Sequence, residues 1–136
     1  PTPKTDTTAD LQALKDAASQ YHAKVMSLSF DEVKSFYSSS ARSMPPAEKT
    51  AQGTEEIGKW LDTFKTIKNF KGSFSEPEVV LAASGDIGYS FATASLSWED
   101  ETGKVMSENI RDFHFWAKQA DGSWKIEIDI WNDFPL

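Results

Sequence analysis

The sequence has no cysteine, few basic residues and no long apolar run, and each scarcity excludes a class of protein. Without cysteine there is no disulfide, no thiolate nucleophile and no zinc–cysteine site. Lysine and arginine number 14 against 21 aspartates and glutamates, so the formal net charge is −7 and the surface repels nucleic-acid phosphates. No apolar run approaches the ~18 residues that a membrane-spanning helix needs. We therefore expect neither a nucleic acid nor a membrane as a partner.

Ligands for metals and cofactors are also scarce. His22 and His114 are the only histidines, and the carboxylates show no calcium- or magnesium-binding loop pattern. We therefore predict no metal site and no cofactor. The chain begins at Pro1, which fits either a mature terminus left by signal-peptide removal or a trimmed start, so the compartment stays open. Residues 1–8 are predicted to form a flexible N-terminal tail.

What is present is sufficient for one folded domain. A chain of 136 residues that is 39% hydrophobic and 12% aromatic is too apolar to be disordered, and it has the usual length of a single domain. We assign residues 1–136 to that domain. A chain of this length buries roughly two-thirds of its unfolded surface, so a core and a small cavity can coexist.

A long amphipathic helix is predicted near the N-terminus. Thr7 or Thr8 can cap it, and apolar residues then recur at spacings of three and four up to Val25. Tyr21 lies on this apolar stripe. His22 points about 100° further round the helix and is expected to face solvent.

Two shorter helices are predicted to follow. Ser29 and Glu32 have the spacing of a capping box, which starts a second helix that ends near Ser38 and turns Tyr37 inward. A short strand at 41–44 separates it from a third helix that starts at Gly53. The buried face of the third helix consists of Ile57, Trp60, Leu61, Phe64 and Ile67.

After residue 69 the helical period gives way to the alternation that is typical of strands. Strands are predicted over 74–83, 87–98, 104–118 and 123–132, with turns rich in glycine, aspartate and serine between them. The connections are too short for crossover helices, so these strands form an antiparallel meander. The pattern predicts an α+β fold, with three N-terminal helices packed on one face of an antiparallel sheet.

Alternation also assigns side chains to the two faces of the sheet. Asp112, His114 and Trp116 share one face, with Asp112 and His114 about 7 Å apart along the strand. Aromatic side chains on the face without helices would be exposed unless a second subunit covered them, so a homodimer through the sheet is expected. Candidates for that set are Phe113, Phe115 and Trp131.

The last predicted strand has two interpretations. Lys125, Glu127 and Asp129 alternate with apolar residues, which is the pattern of a half-exposed strand with its charged side chains towards solvent. Asp129 and Trp131 also lie near the end of the chain, where they would close a cavity mouth.

This order of elements carries motifs that resemble a known superfamily. The resembling pieces are Phe36-Tyr37-Ser38-Ser39-Ser40-Ala41, Met44-Pro45-Pro46, Gly53-Thr54-Glu55-Glu56-Ile57 and Asp121-Gly122-Ser123-Trp124-Lys125-Ile126. From about Leu11 onward the chain is similar to the nuclear-transport-factor-like, or SnoaL-like, superfamily, which contains ketosteroid isomerase. The resemblance implies a cone-shaped roll in which helices and a curved sheet enclose one pocket. It implies no single function, because the fold hosts isomerases, cyclases, hydratases and scaffolds without chemistry.

The resemblance to ketosteroid isomerase extends to some site residues. That enzyme uses a tyrosine and a protonated aspartate to stabilise an enolate oxygen, and a second aspartate to move the proton. Tyr21 matches the position of the tyrosine and Asp112 that of the protonated aspartate, whereas Pro45 stands where the second aspartate belongs. Without that base, steroid isomerisation by the same route is rejected.

We therefore predict a pocket for a small hydrophobic molecule. Its catalytic candidates are Tyr21, Asp112 and His114, with the last two transferring a proton and Tyr21 holding a carbonyl or enolate oxygen. Its wall candidates are Met44, Trp60, Phe64, Phe91 and Trp131. Two alternatives stay open. In the first, Tyr21 is a core tyrosine, and Asp112 and His114 are a satisfied buried pair or Asp112 is exposed at a dimer rim. In the second, the whole chain is a non-catalytic dimerisation or protein-interaction module.

Overall fold

A computed structural model describes residues 6–135 of the chain. Its helices are α1 (Thr8–Met26), α2 (Phe30–Lys34) and α3 (Gly53–Asp62), and a 3-10 turn (Thr63–Thr66) follows α3. Its strands are β1 (Tyr37–Met44), β2 (Ala51–Gln52), β3 (Lys68–Phe74), β4 (Glu78–Leu81), β5 (Ile87–Glu99), β6 (Val105–Lys118) and β7 (Trp124–Phe134). Within the described residues, no helix has both the length and the apolar character needed to cross a membrane.

Most of the predicted N-terminal tail lies outside the described residues, which begin at Asp6. The side chain of Asp6 accepts a hydrogen bond of 3.0 Å from the backbone N–H of Thr8. Thr8 is the first residue of α1, so the helix already begins within the segment predicted to be a tail.

The α+β prediction is confirmed, and the seven strands form one curved sheet in the order β2-β1-β7-β6-β5-β3, with β4 also paired to β5. All these pairs are antiparallel except that β1 runs parallel to β7, so the sheet is mixed. The parallel pair arises because α3 and the first strands of the meander lie between β1 and β7 in the chain, which makes β1 a distant rather than a hairpin neighbour.

The predicted second helix is too long. It ends at Lys34, and Tyr37 is the first residue of β1 rather than a helical residue. The capping box is absent, because the Ser29 hydroxyl lies 2.7 Å from that of Ser27 and caps nothing. Leu28 has a φ of 55°, which produces the sharp bend between α1 and α2.

The predicted strand over 74–83 is in fact two strands. β3 and β4 both pair with β5, β3 with its last part and β4 with its first part. Pro77 lies between them. Because proline has no backbone N–H to donate to a ladder, the pairing is interrupted there. β3 also starts earlier than predicted, at Lys68 rather than at residue 74, and it passes beside α1.

The core lies between the helices and one face of the sheet, which we call the inner face. α1 packs against β3, β4, β5 and β7, and α3 packs against β1. The fully buried apolar side chains include Leu14, Val33, Ile57, Trp116 and Ile126. The indole N–H of Trp116 donates to the Ser90 hydroxyl at 2.9 Å, so this large side chain leaves no unsatisfied donor in the core.

A bulge in β7 decides which of its side chains face the core. Phe115 pairs with Ile128 but Trp116 pairs with Ile126, so Glu127 is an extra residue on this strand. The alternation shifts by one residue at that point. Asp129 is consequently 1% exposed and Ile130 is 42% exposed. The prediction that Asp129 faces solvent as part of a half-exposed strand is wrong for this reason.

The face of the sheet without helices, which we call the outer face, carries two adjacent apolar rows. Strand pairing places Met44 beside Ile130, Ile130 beside Phe113, and Phe113 beside Phe91. The next row contains Ile128, Phe115, Tyr89 and Val80. Phe113 and Phe115 are therefore on the outer face as expected. Trp131 is opposite Asp112 and faces inward, so it does not belong to this set.

Replacing Gly88 by alanine should destabilise the fold. An added Cβ would lie 2.6 Å from the carbonyl oxygen of Val80 and 2.7 Å from Cδ2 of Leu14, and such overpacking costs about 1–3 kcal/mol. Gly58→Ala is the matched control, because its Cβ would lie 3.9 Å from the nearest side-chain atom and should stabilise α3 by up to about 1 kcal/mol. Urea unfolding measures both, and equal effects would contradict the packing described for Gly88.

Candidate functional site

A cavity of about 160 Å³ lies between the helices and the inner face of the sheet. Its wall is mainly aromatic and aliphatic. The aromatic side chains that line it, besides Tyr21 and Phe30, are Trp60, Phe64, Phe70, Phe74, Trp98 and Trp131. The polar groups on the wall are Tyr21 and the carboxyl groups of Glu108, Asp112 and Asp129. A small set of polar groups in an apolar hollow is the usual composition of a small-molecule site.

The expected wall residues divide into two groups. Trp60, Phe64 and Trp131 line the cavity, and the Trp60 ring lies 5.2 Å from that of Phe64 and 5.6 Å from that of Trp131. Met44 and Phe91, which were also expected there, are instead on the outer face. Both belong to the strand-pairing row that contains Phe113. Phe113 follows the inward-facing Asp112 directly, and neighbouring residues on a strand point to opposite faces, so this row faces outward.

Asp112, His114 and Asp129 form the polar floor below this cavity, on the neighbouring strands β6 and β7. His114 Nε2 lies 3.0 Å from Asp129 Oδ1 and 3.5 Å from Asp112 Oδ1. All three side chains are buried. Asp112 and Asp129 line the cavity, whereas His114 lies behind them and is 1% exposed.

The imidazole of His114 carries the charge that balances these carboxylates. Burial alone would lower its pKa, but the carboxylates of Asp112 and Asp129 outweigh burial and raise the pKa of His114 to about 9. At neutral pH the histidine is therefore protonated. It can donate this proton to Asp112 or Asp129, and it cannot act as a base while it is protonated.

Two tyrosines connect the cavity to this floor. Tyr37 donates a hydrogen bond of 2.6 Å to Asp129 Oδ2, and the Tyr21 and Tyr37 hydroxyls are 2.7 Å apart. Because Tyr37 gives its only hydroxyl proton to Asp129, Tyr21 is the donor in the second bond. Burial first, and then the Asp129 carboxylate, raise the pKa of both phenols well above its ordinary value, so both stay protonated.

This direction of hydrogen bonding changes the expected role of Tyr21. Its proton points at Tyr37, so its oxygen presents lone pairs to the cavity in this state. Donating to a ligand oxygen, the role expected from the sequence, requires the two hydrogen bonds to reverse.

His22 contacts the floor from α1, and the prediction that it faces solvent is wrong. It is 6% exposed, its ring stacks on Phe74 at 4.0 Å, and its Nε2 lies 3.3 Å from Asp112 Oδ2. The cause is β3, which was not predicted to extend back to Lys68 and which covers this flank of α1.

The structure brings Tyr21, Asp112 and His114 close together, as the sequence predicted, but three of their partners were not predicted. Tyr37 was assigned to a helix, His22 to solvent, and Asp129 to a half-exposed strand or a cavity mouth. The strand alternation that placed Asp112 and His114 on one face was correct. No comparable pattern marks the bulge that turns Asp129 inward.

The same side chains are also arranged as metal ligands are. His22, Asp112 and His114 each contribute one ligand atom, and these atoms lie within 4.8 Å of one another. Two imidazoles and a carboxylate suit a transition metal. The protonated His114 offers a different way of neutralising the carboxylates, and the prediction of no metal stays a prediction.

No protein-family model matches the sequence. No curated protein matches it either. Solved structures do: a ketosteroid isomerase-like protein from Erwinia carotovora atroseptica superimposes with a TM-score of 0.81 at 18% identity, over 95% of this chain and 99% of that one. A proposed scytalone dehydratase from Novosphingobium aromaticivorans has a TM-score of 0.77 at 13% identity, over 96% of this chain and 92% of that one.

A third match names the fold directly. An NTF2-like protein with a cystatin-like fold, also from Novosphingobium aromaticivorans, has a TM-score of 0.72 at 13% identity, over 89% of this chain and 79% of that one. The chain thus has the ketosteroid isomerase-like, cystatin-like fold that the sequence motifs predicted. At these identities the likeness concerns the fold and not the activity.

Stability should fall as the pH rises through the His114 pKa. The folded pKa of about 9 is above the ordinary value of 6.5, so this stabilisation is complete below about pH 6.5 and is lost as the pH passes about 9. The expected loss is on the order of 3 kcal/mol, measured by urea unfolding at a series of pH values. His114→Gln should remove the decrease.

NMR titration of His114 measures the same protonation directly in the wild-type protein, without the His114→Gln variant. The imidazole resonances of His114 in the intact protein should titrate near pH 9. Titration below the ordinary value for histidine would contradict the arrangement in which both carboxylates hold the proton on this ring.

Proposed function

We propose that the protein is a small-molecule enzyme that removes a proton beside a carbonyl group of an apolar substrate, the step shared by isomerases, cyclases and dehydratases of this fold. The observation that carries the proposal is that Tyr21, Asp112 and Asp129 line one apolar cavity while His114 Nε2 lies between the two carboxylates, 3.0 Å from Asp129 and 3.5 Å from Asp112. Acid and base are thus available within one water-poor space.

Asp112 is the group proposed to remove the proton. It lines the cavity directly, and its carboxylate is held by His22 at 3.3 Å and His114 at 3.5 Å, which fix its position. This assignment supplies the base that Pro45 cannot. It gives Asp112 the role of a carboxylate rather than that of the protonated aspartate in ketosteroid isomerase.

Tyr21 is the group proposed to protonate the substrate oxygen. As negative charge develops on that oxygen, Tyr21 gives it a proton, Tyr37 replaces the proton on Tyr21, and Asp129 replaces the one on Tyr37. The proton that Asp129 passes on comes from His114 at 3.0 Å. Protons balance when Asp112 returns its proton to carbon and the proton on the substrate oxygen passes back through Tyr21, Tyr37 and Asp129 to His114.

The names of two structural neighbours agree with this reaction class. One is an isomerase-like protein and another is a proposed dehydratase, and both reactions involve proton removal beside an oxygen function. These names describe those proteins. They support the class of chemistry proposed for this chain and no particular substrate.

Hydrogen–deuterium exchange beside a ketone tests this step without a known substrate. The wild-type protein should accelerate exchange of the acidic protons of beta-tetralone in D₂O, followed by NMR. Asp112→Asn should reduce that acceleration by roughly 10²-fold or more, because a positioned base contributes about 10²–10⁴-fold. Tyr21→Phe should also reduce it, by about 10²–10³-fold, because the developing charge on the ketone oxygen loses its donor.

Two controls define the result. Asp16→Asn removes an exposed carboxylate of α1 and should leave the exchange rate unchanged. A chelator should also have no effect if side chains alone move the proton. No acceleration by the wild-type protein with beta-tetralone and other ketones of cavity size, or equal rates for Asp112→Asn, would mean that the cavity is not catalytic.

A second candidate function, a dimerisation module, is favoured by the outer face. Met44, Ile130, Phe113 and Phe91 form a continuous apolar row across four strands, and no helix within residues 6–135 covers it. Contiguous exposed apolar patches mark association surfaces. The partner we propose is a second copy of the chain, and dimerisation is compatible with the enzymatic proposal.

The charges at the two sides of the outer face support a second copy of the chain as the partner. Arg42 on β1, the strand next to the edge strand β2, continues one of the two apolar rows, and Glu78 on the edge strand β4 continues the other. A two-fold axis parallel to the strands would place β1 of one copy against β4 of the other. Arg42 of one copy would then lie one row, about 7 Å along the strand, from Glu78 of the other, on both sides of the interface.

Phe113→Glu should turn a dimer into a monomer. A charge in the centre of the apolar row would have to be buried without a partner, which is strongly unfavourable. Light scattering at micromolar concentration measures the mass, and circular dichroism checks that the fold is kept. Ala120→Glu, in the exposed turn between β6 and β7, is the control. A monomeric wild-type protein would contradict the proposal.

A further inference from the structure

The charged groups that line the cavity are all of one sign. Glu108, Asp112 and Asp129 contribute carboxyl groups to its wall, and among residues 6–135 no lysine or arginine lines it. His114 offsets part of this charge from behind the floor. Asp129 Oδ1 is buried, and its 3.0 Å contact with His114 Nε2 is an ion pair without hydrogen-bond alignment, so this oxygen can still accept a hydrogen bond at the floor.

Glu108 lies at the rim of the same cavity. It is on the inner face of β6 with Ile110 and Asp112, because alternate residues of a strand share a face. It is half-buried, and burial followed by the charge of Asp133 raises its pKa to about 7. Asp133 is on the inner face of β7, opposite Ile110, so two carboxyl groups occupy this part of the rim.

Aromatic rings accompany the acidic rim. Trp98 lines the cavity two residues along β5 from Leu96, which is the strand partner of Glu108. An aromatic face attracts a cation, and a nearby carboxylate adds to that attraction. The same surroundings are unfavourable for an anion, since neither the ring face nor the carboxylate can stabilise negative charge.

We propose that the cavity selects its ligand by charge: it takes an apolar molecule that carries a protonated amine, seats the amine beside Glu108, and rejects the matching carboxylate. The proposal rests on the proposed function only in requiring that the cavity takes a ligand. Glu108 is a specificity-determining residue in this arrangement. Asp112, four residues along the same strand, is roughly 13 Å away, which sets the separation between the amine and the reacting group.

Three naphthalene probes that differ only in their terminal group test the selection. Naphthylpropylamine, naphthylpropanol and naphthylpropionate are titrated into the full chain by calorimetry at about pH 8.5, above the Glu108 pKa of about 7 and below that of an alkylamine. The amine should bind about fivefold tighter than the alcohol, and the carboxylate about fivefold weaker, as expected for one partly solvated charge pair.

Glu108→Gln identifies the residue responsible. The amine and the alcohol should then bind equally within about twofold, while the affinity of the alcohol stays unchanged. Glu101→Gln removes the same charge from the exposed turn between β5 and β6 and should leave all three affinities as they are. Thermal unfolding of each variant checks that the fold is intact.

The outcomes separate this inference from the proposed function. If the alcohol binds but the amine has no advantage, or if Glu108→Gln leaves the advantage in place, the charge selection is overturned and the cavity remains a ligand site. If none of the three probes binds, the charge selection is overturned, and exchange on the smaller beta-tetralone decides the proposed function separately. Tight binding of the carboxylate would overturn the charge selection alone.

Discussion

Two buried carboxylates on neighbouring strands set the main constraint on this molecule. Asp112 and Asp129 are 5% and 1% exposed, and two uncompensated charges at such depth would oppose folding. His114 lies between them and keeps a proton there, and Tyr37 donates to the second oxygen of Asp129. The bulge of β7, the position of Tyr37 at the start of β1 and the burial of His22 all belong to this one arrangement.

The parts of the site that could be predicted from the sequence follow from regular alternation. β6 pairs with β5 without interruption, so residues two apart are on the same face, and Asp112 and His114 fall together as expected. The stripe of α1 likewise placed Tyr21 against the sheet. The fold class was predictable for the same reason: the change from a helical to a strand period, together with short turns, leaves few arrangements.

The parts that could not be predicted depend on contacts between distant segments. Glu127 is an extra residue only because β6 pairs with residues on both sides of it, and no local pattern distinguishes it from a regular strand residue. Tyr37 follows a helix-forming segment and becomes a strand residue by pairing with Ile126. His22 is buried because β3, far along the chain, lies over it. In each case tertiary pairing overrode the local preference.

β5 and β6 are long enough to carry the floor and the rim of the cavity at different heights, so these two parts can vary independently. The floor residues Asp112 and His114 lie midway along β6, where β5 and β7 flank the strand and helices pack on its inner face. The rim residues Trp98 and Glu108 lie towards the hairpin that joins the two strands, close to an exposed turn. Substitutions or insertions in that hairpin can therefore change which molecules enter while the proton-bearing groups keep their geometry. A fold built in this way can acquire new substrates without rebuilding its chemistry.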